Sequence, residues 1–271
     1  MGTSSSYGGP QGKSPLLPKD FDENDYPNEE SNMQEEVQEE GKPNPKTDLW
    51  KRAKTQASKF VSGTSGNIGL TLSGYVKAHG GGRKAASTAF SGKSTSVGLG
   101  AFLSSTSAQG IKNTLVSYDI EYEGKGAEEV LSDLVNKIGP SPNTKEDSVA
   151  RNALLDAIDI LYEDVEEQND DLEALNNLDK NRFNKIMNVY ISSYIYQRFL
   201  SELESRFEEY ASSAGTALAK EEEIREYISG IVDNKLQNRN FSELDYSSNS
   251  ILVTINEIFT DCYDVIEGAL K

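Results

Sequence analysis

The sequence has very few of the residues that build cross-linked or metal-bound folds. Its 271 residues include one cysteine, Cys262, and one histidine, His79. A single cysteine excludes an internal disulfide, and one cysteine with one histidine cannot supply the four ligands of a structural zinc site. Such cysteine usage is typical of a reducing cytoplasm, where we expect the protein to act. We predict no metal site and no cofactor.

Long apolar runs are missing as well. No stretch of about 18 apolar residues could span a membrane, and the N-terminus lacks the apolar core of a secretory signal. Met1-Gly2 followed by Ser6 fits the short pattern for N-myristoylation, which matters only in a cell that has the transferase. We therefore predict no membrane partner.

Charge divides the chain into three blocks. Residues 1–46 have four Lys/Arg and ten Asp/Glu, residues 47–112 have nine against one (Asp48), and residues 113–271 have fourteen against thirty-three. The blocks therefore carry −6, +8 and −19, which sum to the net charge of −17. The middle of the chain is therefore a basic segment between two acidic ones.

Residues 1–18 form a peptide with no hydrophobic periodicity. Both helix and strand are opposed by Gly8, Gly9 and Gly12 and by Pro10, Pro15 and Pro18. The peptide ends on one apolar trio, Pro15-Leu16-Leu17. We predict that residues 1–18 are a recognition peptide for another protein.

Residues 19–46 form an acidic linker. Ten carboxylates and no base lie between Asp20 and Glu40, and such a segment stays extended because like charges repel. A flexible tether is the simplest interpretation; the alternative is that its carboxylates cover the basic segment when no partner is bound. The predicted organisation is thus a peptide (1–18), a linker (19–46), a basic Gly/Ser-rich helical segment (47–112) and an acidic α-helical bundle (113–271).

The basic segment predicts one clear helix and several unclear ones. The clear helix starts at Thr47 as N-cap, with one apolar face formed by Trp50, Ala53, Ala57, Phe60 and Val61. Residues 63–110 mix glycine, serine and short apolar patches. Small residues at three- and four-residue spacing favour two or three short, closely packed helices with a break at 80–82; these residues are Gly66, Gly69, Ser73, Ala85, Ala86 and Ala89.

The acidic block predicts helices from apolar stripes of period 3.6. A short helix follows Gly126 and ends at Gly139-Pro140, Leu172 and Leu175 lie in a helical turn, and longer helices cover 145–167, 180–210, 220–237 and 248–270. Tyr210 and Val265 are placed on apolar stripes. The predicted fold class is all-α, a helical bundle whose core lies mainly in 111–271, preceded by a long extended or disordered N-terminal tail.

The residues that commonly act in catalysis do not occur in catalytic patterns in this sequence. Gly92-Lys93-Ser94-Thr95 resembles the end of a phosphate-binding loop, but Ser87 stands where the first glycine is required and no strand precedes it. A basic, glycine-rich loop is the better interpretation. His79 fits an exposed glycine-rich loop, and Cys262 fits a helical core position. We predict that the protein is not an enzyme.

The basic segment predicts an anionic partner. The predicted basic patch comprises Lys51, Arg52, Lys54, Lys59, Arg83 and Lys84, with Lys77, Lys93 and Lys112 in the same block. We favour an acidic protein surface over nucleic acid, because the rest of the chain would repel a duplex and the block lacks interleaved aromatic residues.

The opening sequence, Met1-Gly-Thr-Ser-Ser-Ser-Tyr-Gly-Gly-Pro10 with Gly12, Ser14 and Pro15-Leu-Leu-Pro18, resembles the QatB proteins of bacterial Qat anti-phage operons. The layout is also similar, although this linker is rich in Glu/Asp where many members have proline. The resemblance implies a non-enzymatic component that works beside an ATPase (QatA), a QueC-like nucleotide-modifying enzyme (QatC) and a TatD-like nuclease (QatD).

QueC enzymes activate a 7-deazaguanine carboxylate with ATP and deliver an amine to it. The resemblance therefore implies that Gly2 is the acceptor for a 7-deazaguanine-type adduct. The predicted partner-binding residues are Thr3, Ser4, Ser5, Ser6, Tyr7, Gly8, Gly9, Pro10, Pro15, Leu16 and Leu17. The alternatives are an adaptor that docks without being modified, a nucleic-acid sensor that uses the basic segment, and an acidic helical protein with an unremarkable tail.

Overall fold

The computed structural model describes residues 45–269, and every regular element in this range is helical. The predicted all-α fold is confirmed; the predicted recognition peptide and nearly all of the linker lie outside the described residues. The helices of the described range are α1 (Pro45–Val61), α2 (Ile68–Ala78), α3 (Gly82–Ser87), α4 (Phe90–Gln109), α5 (Ile111–Ser117), α6 (Ala127–Ile138), α7 (Lys145–Glu166), α8 (Lys180–Tyr210), α9 (Ala214–Leu236) and α10 (Ile251–Glu267), with short 3-10 helices at Leu172–Asn177 and Phe241–Glu243.

The first helix begins two residues before the predicted cap. α1 starts at Pro45, so Thr47 lies inside its first turn and the predicted N-cap was wrong. Proline suits the first helical position because its ring presets φ and it has no amide hydrogen to leave unpaired. The apolar face of α1 is buried as predicted, except that Trp50 is only partly covered.

Residues 63–110 form three helices, α2 to α4. The predicted break is confirmed at Gly80 and Gly81, whose φ values of +95° and +92° are strained for any residue with a side chain. α4 is 20 residues long and so is not one of the short helices expected here. It includes Gly92-Lys-Ser-Thr95, and the prediction of a glycine-rich loop at this place was wrong.

Glycines on α4 leave room for large aromatic rings from α8 and from the turn before α10. A Cβ atom at Gly92 would lie 2.4 Å from Cε2 of Tyr194, and one at Gly100 would lie 2.0 Å from Cε1 of Tyr246. Of the small residues predicted to allow close approach, Gly69 does so, because a Cβ atom there would lie 3.1 Å from both the Ala269 carbonyl oxygen and Tyr227 Oη. Gly66 does not contribute to it, because nothing lies within 4 Å of its Cβ direction.

The helices of the acidic block mostly follow the predicted bounds. α7 begins with a reciprocal capping box, in which Asp147 N donates to Thr144 Oγ1 (3.1 Å) and Thr144 N donates to Asp147 Oδ2 (2.9 Å). α8 begins at Lys180 and ends at Tyr210, as predicted. Both helices combine a strong start signal with a long apolar stripe.

Other bounds differ from the prediction. α9 starts at Ala214, ahead of the predicted 220, because Ser213 Oγ accepts a hydrogen bond from Thr216 N (3.1 Å) and caps the helix. α10 covers Ile251–Glu267 and is shorter than the predicted 248–270. α5 was not predicted, since its seven residues are too few to show a period.

α8 is the central helix of the bundle and packs against α1, α4, α7 and α9. Its buried side chains belong to one cluster that also includes residues of α1 to α4, so the basic segment and the acidic bundle share a hydrophobic core. Two residues placed on apolar stripes are exposed instead: Tyr210 at the end of α8 (41%) and Val265 on α10 (37%). The contact between α1 and α8 positions the surface described next.

Candidate functional site

The predicted acceptor and its flanking peptide lie outside the described residues. These are Gly2 and the partner-binding positions Thr3, Ser4, Ser5, Ser6, Tyr7, Gly8, Gly9, Pro10, Pro15, Leu16 and Leu17. The candidate surface that the structure does describe is therefore the basic one, which starts at α1.

The predicted basic patch is divided between two helices. Lys51, Arg52, Lys54 and Lys59 are exposed on α1, whereas Arg83 and Lys84 are exposed on α3. α1 packs against α2 and α8, and α3 packs chiefly against α10. The structure brings three of the α1 lysines together in one groove and leaves Arg52 and the α3 cations outside its lining.

The α1 groove is an open depression of about 600 Å³ between α1 and the C-terminal end of α8. Its lining comprises Thr47, Trp50, Lys51, Lys54, Thr55, Ser58, Lys59, Ser62, Arg206 and Tyr210. The α1 positions recur at three- and four-residue spacing, so they form one stripe along the helix. Ala53, Ala57 and Phe60 hold the opposite face in the core. Because the apolar face of α1 is buried, the lysines on its opposite face are exposed to solvent.

Arg206 and Tyr210 complete the groove from α8, and sequence analysis missed both in this role. They are four residues apart, so they are neighbours on one helix face. The Arg206 guanidinium carbon lies 5.9 Å from the centroid of the Tyr210 ring, and its Nη1 lies 3.0 Å from Glu209 Oε2. The only sequence signal was a cation within an aromatic stripe, which does not reveal a partner on a helix far away in the sequence.

Trp50 lies at the inner edge of the groove, against an aromatic cluster. Its ring meets Tyr75 and His79 edge-on, with centroid separations of 6.1 and 5.1 Å. The side chain of His79 is only 13% exposed, and its Nε2 lies 3.0 Å from Glu202 Oε2 without hydrogen-bond geometry. The prediction of a surface histidine was wrong, because the glycines that follow turn the chain after His79 and leave its ring packed between helices.

Glu202 is also held by a buried arginine. Arg198 donates to the carbonyl oxygen of Ala85 and to Thr88 Oγ1, both at 2.8 Å, and its Nε lies 3.4 Å from Glu202 Oε1. A buried guanidinium needs such partners, because an unpaired buried charge is strongly destabilising. This network joins α3 to α8. It also places a positive charge beside the Glu202 carboxylate beneath the groove.

The phosphate-loop candidate has no free anion site. Ser91 N and Gly92 N, at the start of α4, donate to the two carboxylate oxygens of Glu146 at 2.9 Å each. The Lys93 ammonium donates to Asn256 Oδ1 (2.8 Å). A carboxylate of this chain therefore occupies the helix terminus at which a nucleotide phosphate would bind.

Cys262 and the acidic clusters have structural surroundings. Cys262 is fully buried on α10, as predicted, and burial raises the pKa of its thiol to about 12. Within residues 45–269, no three His, Cys, Asp or Glu side chains are arranged to hold a metal ion. Over the same range, no helix has both the length and the apolarity needed to cross a membrane.

Comparison with known proteins identifies the folded part of the chain. A family model described as "QatB: Qat anti-phage system associated protein QatB" matches residues 80–266, from the break before α3 into α10. The chain matches no curated protein and no solved structure. The match lies wholly outside residues 1–18, on which the predicted resemblance to QatB proteins rests. Because the match covers well over half of the 271 residues, the chain belongs to the QatB family and is a component of the Qat anti-phage defence system.

Proposed function

We propose that this QatB-family chain presents residues 2–18 to a QueC-like partner, which conjugates a 7-deazaguanine-type group to Gly2. The observation that carries the proposal is the sequence of residues 1–18, in a chain whose helical part matches the family. That peptide has no apolar periodicity of its own. Its second residue, Gly2, becomes the terminal residue when Met1 is removed.

The terminal amine is a suitable nucleophile for this reaction. Its pKa is about 7.7–8, against about 10.4 for a lysine, so more of it is neutral at cellular pH. The nitrogen lone pair attacks the carbonyl carbon of a deazaguanine carboxylate that the partner has activated with ATP. A C–N bond forms, the nitrogen loses a proton, and the activating group leaves with the electrons of its C–O bond. Glycine suits a narrow pocket because it has no Cβ.

The helical part acts as the carrier in this proposal. α1 is the first described element after the peptide and linker, and it is held in the core by Ala57, Phe60 and Val61, each no more than 1% exposed. Groups near the groove with acid–base potential, such as His79 and Glu202, pack against other side chains of the chain. We assign the reacting enzyme groups to the partner.

The intact mass of the chain, purified after co-expression with the QueC-like partner, tests the proposal. We expect loss of Met1 and an added mass that disappears in the Gly2→Ala variant. Gly12→Ala is the matched control, since it changes a glycine of the same peptide outside the predicted contact residues and should keep the adduct. An unmodified mass with Met1 removed would contradict the proposal.

Binding of the Gly2→Ala variant separates this function from the adaptor alternative. An adaptor docks the peptide without reacting, so the wild-type chain would co-purify with the partner and carry no adduct. A substrate would carry the adduct, and Gly2→Ala would keep much of the binding while losing the modification.

A further inference from the structure

We propose that the α1 groove is a docking site for a short acidic segment of a protein partner. The inference is independent of conjugation at Gly2, because it concerns a different surface and rests only on described residues. It gives the basic segment of the chain a specific function.

The charge of the groove sets it apart from the rest of the molecule. Its lining has four cations, Lys51, Lys54, Lys59 and Arg206, and no carboxylate among the described residues, in a chain of net charge −17. Within residues 45–269, the three lysines form no ion pair with a carboxylate.

Several lysines of the acidic bundle do form such pairs. Lys125 pairs with Asp133 at 2.8 Å, Lys220 with Glu223 at 2.7 Å, and Lys235 with Asp261 at 3.7 Å. The groove ammonium groups have no carboxylate partner in the described range, so they create a local positive potential on an otherwise acidic chain. Such a potential attracts an anionic ligand. The groove lysines therefore point to a ligand outside the described part of the chain.

The dimensions of the groove suit a peptide. Thr47 and Ser62, the residue that follows α1, mark the ends of the groove lining along this helix, a distance of about 22 Å at 1.5 Å per residue. An extended peptide of about seven residues has the same length. The hydroxyls of Thr55 and Ser58 donate to carbonyl oxygens of their own helix, at 2.8 and 3.0 Å. The ammonium groups are thus the donors directed to a ligand, and carboxylates are the matching acceptors.

The surroundings favour an acidic peptide over a nucleic acid strand. Glu209 is bound to Arg206, Glu204 and Glu208 are exposed nearby on α8, and Asp48 lies in the first turn of α1. A nucleic acid has a phosphate at every nucleotide and would meet these carboxylates on leaving the groove. A peptide can confine its charges to a few residues.

The aromatic residues of the groove support the same choice. The Trp50 ring packs edge-on against two other rings, and Arg206 approaches the Tyr210 ring. Nucleic acid strands bind best where several open ring faces accept successive bases. The groove lining has only two rings, Trp50 and Tyr210, beside four cations, so charge pairing with a peptide is the better match.

The intrinsic fluorescence of Trp50 tests the proposal directly, because this residue lines the groove and the chain contains one tryptophan. The full-length chain is titrated with an oligoglutamate peptide of about seven residues, with an oligoserine peptide of equal length, and with an oligothymidylate strand. We expect a saturable change with oligoglutamate and none with oligoserine.

Two triple variants with the same change of charge locate the binding. K51E/K54E/K59E reverses the groove lysines, and K77E/R83E/K84E reverses three exposed cations on α2 and α3. We expect the first to weaken oligoglutamate binding at least tenfold and the second to change it less than twofold. Circular dichroism shows whether the charge-reversed chain folds. If it does not, the neutral variant K51Q/K54Q/K59Q replaces it in the titration. Equal losses in both sets, or tighter binding of oligothymidylate than of oligoglutamate, would overturn the proposal.

Discussion

Replacement of Glu146 by alanine is the sharpest test of how the basic segment is joined to the acidic bundle. The Glu146 carboxylate lies in the first turn of α7 and accepts hydrogen bonds from Ser91 N, Gly92 N and Tyr194 Oη, at 2.9, 2.9 and 2.7 Å. It therefore links α4, α7 and α8. Glu146→Ala leaves two helix-terminal amides and one largely buried hydroxyl without an acceptor.

The magnitude follows from these three contacts. Loss of an acceptor at a helix N-terminus costs about 1 kcal/mol, and a buried hydroxyl without a partner costs about 1–3 kcal/mol. We expect Glu146→Ala to lower the free energy of unfolding by about 3 kcal/mol in total. Glu146→Gln keeps a carbonyl acceptor and should cost about 1 kcal/mol, mainly through loss of charge at the helix terminus.

Urea denaturation followed by circular dichroism measures the effect. Glu166→Ala is the matched control, because Glu166 is an exposed glutamate of the same helix and its replacement should change the stability by less than about 0.5 kcal/mol. Tyr194→Phe completes a double-mutant cycle. Since Glu146 and Tyr194 share a hydrogen bond, their effects should not add. A Glu146→Ala chain as stable as the control, or full additivity with Tyr194→Phe, would refute the proposed link.

Other predictions concern packing and reactivity. Gly82→Ala should destabilise the chain by about 2 kcal/mol, because the new Cβ would lie 2.8 Å from the backbone nitrogen of Asp264. Gly230→Ala should stabilise it by about 1 kcal/mol, since Gly230 lies within α9 with nothing within 4 Å of its Cβ direction; thermal unfolding of both variants checks the contrast, and a destabilised Gly230→Ala would contradict it. Cys262 should not react with a disulfide reagent at mildly alkaline pH, because burial raises the pKa of its thiol to about 12. It should react fully in guanidinium chloride, and fast reaction of the native chain would contradict its burial.

The long helices of the acidic block could be predicted from the sequence because two independent signals coincide there. In α7 the Thr144–Asp147 capping box precedes a stripe of period 3.6, and in α8 Asp179 caps a 31-residue helix with an aromatic stripe. Local hydrogen bonds and periodic burial then favour the same bounds. Shorter elements such as α5 have too few residues for either signal.

The glycine-rich segment could be predicted only coarsely. α4 contains Gly92, Gly98 and Gly100, residues that weaken an isolated helix and give no apolar stripe. Its helix is stable because Tyr194 and Tyr246 pack where side chains are missing and because Glu146 binds its first amides. These partners lie later in the chain, far from α4 in the sequence, so no local sequence pattern predicts them.

The sequence by itself determined the helical class, the three charge blocks and the family resemblance, because composition, periodicity and a short motif are properties of neighbouring residues. Only the tertiary structure decided that Lys51, Lys54 and Lys59 share a groove with Arg206 and Tyr210. It also decided that the side chain of His79 is largely buried and that the Glu146 carboxylate binds the first amides of α4. Such groups meet through the packing of α1, α4, α7 and α8 around one core, and that packing depends on shape complementarity between residues far apart in the chain.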